Sequence, residues 1–271
     1  MDLDGLALIH FELHAMPFFE TSSKLKFRYS DKGSGFPIIF LHGSLGTRKL
    51  WRNQFNSALS GKYRLIAPDQ RGHGDSERPE SGYGLAEYVN DVKDLMDHLG
   101  LREAVLAGSS MGGVISEGFA LKYPKKVRAL VLVGSLARAI WLGEKERYIQ
   151  KTSNESIPAR VRKWFGPYST RANIDYAIRQ SKKTSIYFRE GVVRDFGNFD
   201  LRKNLHKIKV PTLIIVGNDD KETPKIESKI INNAISGSEL HLVPRSGHLV
   251  MLEQPRIFNS LLSHFLEMNV G

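Results

Sequence analysis

Five short apolar runs, set off by glycine or proline, constrain this chain more than any other feature. They are 37–41 (PIIFL), 63–67 (YRLIA), 103–107 (EAVLA), 127–133 (VRALVLV) and 212–216 (TLIIV). Continuous aliphatic and β-branched runs of this length suit strands covered on both faces, as in a parallel sheet. A further run at 239–243 adds another strand. Helical patterns lie between them. Tyr88, Val89, Val92, Leu95, Met96 and Leu99 recur at helical spacing over 85–99, and Gly100 follows. Residues 111–123 read as a second helix, stopped by Pro124, and 258–268 as a third. The alternation predicts an α/β protein with a doubly wound, mostly parallel sheet.

The alternation fails between the strand at 127–133 and the strand at 212–216. That stretch carries no convincing strand run and reads as short helices punctuated by Pro158, Gly166-Pro167 and Gly191. It holds ten aromatic residues, from Trp141 to Phe199. An insertion of this kind is expected to form a helical cap over the sheet's carboxyl edge, where α/β proteins bind ligands. The expected division is an N-terminal extension at 1–15, a core at 16–136 and 209–271, and a cap at 137–208.

Charge follows the same division. The 271 residues carry a formal net charge of +10, and 138–209 alone hold 17 Lys and Arg against 7 Asp and Glu, equal to that whole excess. A solvated set of helix faces accounts for such a segment, and so does attraction to anionic ligands. The pI of about 9.6 also raises nucleic acid as a partner, but the chain has no recognised binding module for it. The absence of cysteine excludes disulfides and thiolate metal sites. The acidic start and the polar breaks at His10, Glu12 and His14 do not make a secretory signal. No uncharged stretch approaches the twenty or so residues of a membrane span. A soluble, cytoplasmic protein is expected, with no membrane partner.

The chemistry concentrates in Gly108-Ser109-Ser110-Met111-Gly112-Gly113, a G-x-S-x-G match entered by an apolar strand and left by a helix. A serine on such a sharp turn is held in a strained backbone, its hydroxyl at a helix N-terminus where developing negative charge is favoured. A second motif, His42-Gly43-Ser44-Leu45-Gly46, follows the strand at 37–41. An acyl-transfer site needs amides fixed in advance around an oxyanion. Ser44 and Met111 are placed to supply them. His42 is expected to order its own loop.

The ordered set HGSLG, PDQRGHGDS (68–76), GSSMGG, GNDDKETP (217–224) and SGHLVMLEQP (246–255) resembles the α/β-hydrolase superfamily. It looks like the capped branch of esterases, lactonases, carbon–carbon bond hydrolases and cofactor-free perhydrolases. The resemblance runs from about residue 19 to 266. It implies a chain order of Ser, acid, His: Ser110 as nucleophile, Asp220 as the orienting acid with Asp219 as the alternative, and His248 as the base. His73 and Asp69 are then expected to stabilise the Arg71-Gly72-His73-Gly74 turn. A serine at 110 argues against the haloalkane dehalogenases and epoxide hydrolases of this fold, which need a carboxylate there.

No cluster at metal-ligand spacing and no G-x-G-x-x-G after a strand occurs, so neither a metal nor a cofactor is expected. The expected activity is that of a carboxylesterase on small to medium acyl chains, with a small-molecule ester or lactone as substrate. Three alternatives stay open: a lactonase, a carbon–carbon bond hydrolase of an anionic dienoate gripped by an arginine such as Arg162 or Arg189, and a hydrolase-fold receptor with little turnover. Against the second, the resemblance implies Trp after the catalytic His, and this chain has Leu249. A monomer and a homodimer are both compatible with the sequence.

Overall fold

The computed structural model describes residues 17–139 and 156–270. The expected extension at 1–15 lies outside them, as do the cap residues 140–155 with Trp141 and Tyr148. Among the described residues eight strands build one sheet: β1 (Phe18–Glu20), β2 (Lys26–Lys32), β3 (Phe36–Leu41), β4 (Tyr63–Pro68), β5 (Ala104–Ser109), β6 (Val127–Val133), β7 (Thr212–Gly217) and β8 (Glu239–Val243). Their order is β1-β2-β4-β3-β5-β6-β7-β8. The pairs β1–β2 and β2–β4 are antiparallel, and every pair from β4 to β8 is parallel. The sheet is the doubly wound, mostly parallel one that the apolar runs predict.

Every residue of β5 and β7 is buried, and β6 exposes only Arg128. That double-sided burial is why these strands do not alternate. Burying one such aliphatic side chain is worth roughly 1.5–3 kcal/mol, so the central strands anchor the core. The helices that flank the sheet are α1 (Arg52–Phe55), α2 (Leu85–His98), α3 (Met111–Lys122), α7 (Lys225–Ala234), α8 (Val250–Glu253) and α9 (Pro255–Asn269), while α4 (Ile157–Lys163), α5 (Arg171–Ser181) and α6 (Ile186–Gly191) lie in the insertion between β6 and β7. Helix α9 begins at Pro255, three residues before the expected start at 258. Proline's missing N–H costs nothing in a helix's first turn. The helix α7 is absent from the sequence reading because its apolar set is thin: Ile231 is buried while Ile226 is exposed.

Registry brings the functional loops to one edge. Leu41 stands opposite Gly108, Ser109 opposite Val133, and Gly217 opposite Val243. The segments after β3, β5, β6, β7 and β8 therefore leave the sheet side by side. The described part of the insertion between β6 and β7 lies across this edge. Gln180 accepts from Thr47 Oγ1 at 2.9 Å, Tyr176 donates to the Lys49 carbonyl at 2.8 Å, and Ser185 N–H donates to the Gly72 carbonyl at 2.8 Å. Much of its aromatic content holds it down. Phe188 packs on His73 at 4.1 Å and on Tyr83 at 5.8 Å, and Phe196 meets Tyr88 at 5.8 Å. No helix among the described residues is long and apolar enough to cross a membrane.

Candidate active site

Ser110 sits between β5 and α3 with φ 53° and ψ −118°, a backbone few non-glycine residues adopt. The turn is tight enough that a methyl group added at Gly108 would stand 2.1 Å from the Gly112 carbonyl oxygen. Only glycine fits there. The Ser110 N–H donates to the Val133 carbonyl at 2.8 Å, which ties the turn to the end of β6. The next residue, Gly134, touches the other half of the site: a methyl group on it would lie 3.1 Å from His248 Nδ1 and 3.2 Å from Asp220 Oδ2.

His248 follows β8, is buried, and pairs Nδ1 with Asp220 Oδ2 at 2.8 Å. The carboxylate is saturated with donors. Oδ2 also accepts from Thr223 Oγ1 at 2.6 Å, and Oδ1 accepts from the N–H groups of Glu222 and Thr223 at 2.8 and 3.0 Å. Burial works to raise the Asp220 pKa, but the imidazole and these donors together hold it below the usual carboxylate value. For His248 the balance has the opposite sign. Burial opposes the imidazolium, and the Asp220 charge and hydrogen bond outweigh it, so its pKa lies above the ordinary one. With Nδ1 donating to Asp220, Nε2 is the acceptor of the neutral ring. Asp219 is only partly buried, and its N–H donates to the Ser246 carbonyl at 2.8 Å.

The loop after β3 abuts the serine. A methyl group at Gly43 would stand 3.0 Å from Ser110 Cβ and 3.7 Å from Oγ. The Gly46 N–H closes a turn onto the Gly43 carbonyl at 3.1 Å, which leaves the Ser44 amide unused by that bond. Met111 opens α3, so its N–H is among those a helix leaves unpaired. His42 holds this loop with both ring nitrogens, Nδ1 to the Gly43 carbonyl at 2.8 Å and Nε2 accepting from Gln70 N–H at 3.0 Å. Burial pushes its pKa down. Behind it, Asp69 takes the Arg48 N–H at 2.7 Å and the Asp75 N–H at 2.9 Å, and forms a buried ion pair with the Arg48 guanidinium.

The structure thus joins Asp220 and His248 directly and sets Ser110, Ser44 and Met111 on neighbouring loops. Among the described residues no hydrogen bond links Ser110 Oγ to His248; the end of β6 lies against both, Val133 bonding the Ser110 N–H and Gly134 abutting the His248 ring. Arg162 and Arg189, the candidate clamps for an anionic substrate, have exposed side chains. Sequence reasoning also passed over Thr223, Trp164 and Glu253. Thr223 follows Glu222, which stands at the two-residue spacing where an Asp side chain bonds its own backbone. The other two carry no local signal.

The chain belongs to the α/β-hydrolase fold family, whose model matches residues 37–255. It is 31% identical to a 2-hydroxy-6-oxo-2,4-heptadienoate hydrolase of Pseudomonas putida, over 87% of this chain and 91% of that one. Its structure superposes on Est816, described as an N-acyl homoserine lactone degrading enzyme, with TM-score 0.85 and 25% identity over 92% of this chain and 100% of that one. It superposes equally on an esterase from Exiguobacterium antarcticum, with TM-score 0.84 and 26% identity over 92% and 99% of the two chains. A hydrolase is the activity these relatives share.

Proposed function

We propose that this protein is a cytoplasmic serine hydrolase that cleaves carboxylic esters of small to medium acyl chain through Ser110, His248 and Asp220. The observation that carries the reading is the buried 2.8 Å pair of His248 and Asp220 beside a serine at positive φ. In the reaction, Ser110 Oγ attacks the ester carbonyl while its proton passes to His248 Nε2. Catalytic hydrogen bonds of this kind, often long in the free enzyme, tighten in the substrate complex. The oxyanion forms against the amides of Ser44 and Met111. The C–O bond to the alcohol then breaks, and His248 returns the proton to the departing oxygen. Water attacks the acyl-enzyme, gives its proton to His248, and the acid leaves as Ser110 regains its own. Asp220 keeps the proton of the neutral ring on Nδ1 and balances the imidazolium.

Turnover of p-nitrophenyl acetate and butyrate tests this reading. Hydrolysis of both, lost in Ser110→Ala, supports it; inertness toward both, with Ser110 unreactive to a fluorophosphonate, favours a receptor with little turnover.

A second reading is favoured by the relative at 31% identity, whose name specifies a dienoate hydrolase. The basic insertion suits an anionic substrate. Leu249 and the exposed Arg162 and Arg189 weigh against it. Offering a lactone and a dienoate alongside the esters ranks the three substrate classes by kcat/KM.

A further inference from the structure

One carboxylate holds the insertion and the histidine loop together. Glu253, in α8, accepts at Oε1 from the Gly247 N–H at 3.0 Å. At Oε2 it accepts from the Gly166 N–H at 2.8 Å and from the Ser169 hydroxyl. Gly247 precedes His248, while Gly166 and Ser169 belong to the insertion after α4. The two backbones also meet without an intermediary. The His248 N–H donates to the Trp164 carbonyl at 2.6 Å, and a methyl group on Gly247 would stand 2.3 Å from that same oxygen. The Trp164 and His248 rings lie 6.1 Å apart.

We propose that Glu253 is a positioning residue that clamps the 164–169 segment onto the His248 loop and thereby sets the orientation of the imidazole. The proposal rests on His248 as the base. Its logic is geometric. The backbone at His248 is held by two hydrogen bonds, its own N–H to the Trp164 carbonyl and the Gly247 N–H to Glu253, and Glu253 also binds the segment that supplies the first acceptor. Three donors on one carboxylate leave it no alternative arrangement, and charge-assisted bonds of this kind are about twice as strong as neutral ones. The Glu253 charge also acts with those of Asp220 and Glu222 to favour the imidazolium. The insertion and the histidine therefore move as one body. Loosening the clamp tilts the ring relative to Ser110 and leaves substrate binding largely intact.

Two variants test this. Glu253→Gln puts an amide N–H against at least one backbone N–H, and Ser169→Ala removes a hydroxyl from the insertion side without altering any charge. With p-nitrophenyl butyrate, kcat is expected to fall on the order of 10–100-fold in Glu253→Gln, with KM within about threefold of the parent if binding is untouched. Ser169→Ala should move kcat the same way by less. The low-field Nδ1–H proton resonance of His248, which reports its bond to Asp220, should shift or broaden in both variants. Should Glu253→Gln fail to fold, Ser169→Ala decides alone. A kcat within twofold of the parent, a loss confined to KM, or an unchanged Nδ1–H resonance overturns the proposal. Because the resonance needs no turnover, a parent protein inert toward esters would sink the hydrolase reading and leave the clamp open to test.

Discussion

The Nδ1 of His248 and the Oδ2 of Asp220 meet at 2.8 Å with both residues buried. This pairing fixes which nitrogen carries the proton. Asp220→Asn preserves the shape and removes the charge, so kcat/KM toward an ester should fall by roughly 10³–10⁴-fold. In the parent, the base works only when neutral, and the His248 pKa is raised. The acid limb of kcat/KM against pH should therefore lie above the ordinary imidazole value of about 6.5. Asparagine at 220 withdraws the field that raises it, and the limb of the residual activity should move down. Steady-state rates across pH 5–9 check both statements. The linked stability has two limbs: the His248 contribution is complete below about pH 6.5 and is lost as pH rises through its raised folded pKa, while the Asp220 contribution is lost as pH falls below about 3.9 through its lowered one.

Ser110 holds φ 53° and ψ −118° without the licence of glycine. Backbone strain of this kind costs about 1–3 kcal/mol. Ser110→Gly should release part of it and raise the midpoint of thermal unfolding while abolishing turnover. Ser110→Ala should abolish turnover with no such gain. Calorimetry on both variants makes the comparison.

Gly134 has φ +53°, and a side chain on it would press on His248 and Asp220 together. Gly134→Ala should cost about 1–2 kcal/mol of stability from the left-handed backbone alone. It should also lower kcat about tenfold or more by displacing the ring. Chemical denaturation and ester turnover, measured side by side, separate the two effects.

The buried pair His42 and His73 should make the protein acid-sensitive. Their rings lie 5.0 Å apart. Burial lowers both pKa values, and for His73 the His42 ring adds to the effect, taking it well below normal. Such groups bind protons more readily once unfolded, so stability is lost as pH falls below about 6.5. His73→Asn keeps a donor for the Arg71 carbonyl, which His73 Nδ1 faces at 2.9 Å, and removes one titration. Its stability should decline less steeply below pH 6, by up to about 1.4 kcal/mol per pH unit. Urea titrations at pH 5, 6 and 7 provide the slope.

The fold was legible where burial is two-sided. The run at 212–216 is uninterrupted, and that at 127–133 is broken only by the exposed Arg128, because their strands, β7 and β6, are covered on both faces. The glycine-flanked Ser110 and the histidine after β8 stood out because local chain geometry dictates their neighbours. What escaped was chosen by tertiary contact. Glu253 reaches Gly166 across 87 residues, and nothing near either position announces the meeting. The exposure of Arg162 and Arg189 agrees with a solvated set of helix faces, but a basic, irregular insertion has no clear periodicity to say which of its residues turn outward. Helix α7 was missed for a related reason: packed on β7 and the edge strand β8, it buries Ile231 fully, Ile230 in part, and leaves Ile226 exposed.

Covalent capture tests the central claim most directly. Incubating the protein with a fluorophosphonate, followed by intact mass and peptide mapping, should yield one adduct, on Ser110, forming faster as pH rises through the His248 pKa and slowed by orders of magnitude in His248→Ala. An adduct on another residue, or equal labelling with and without His248, would contradict the account.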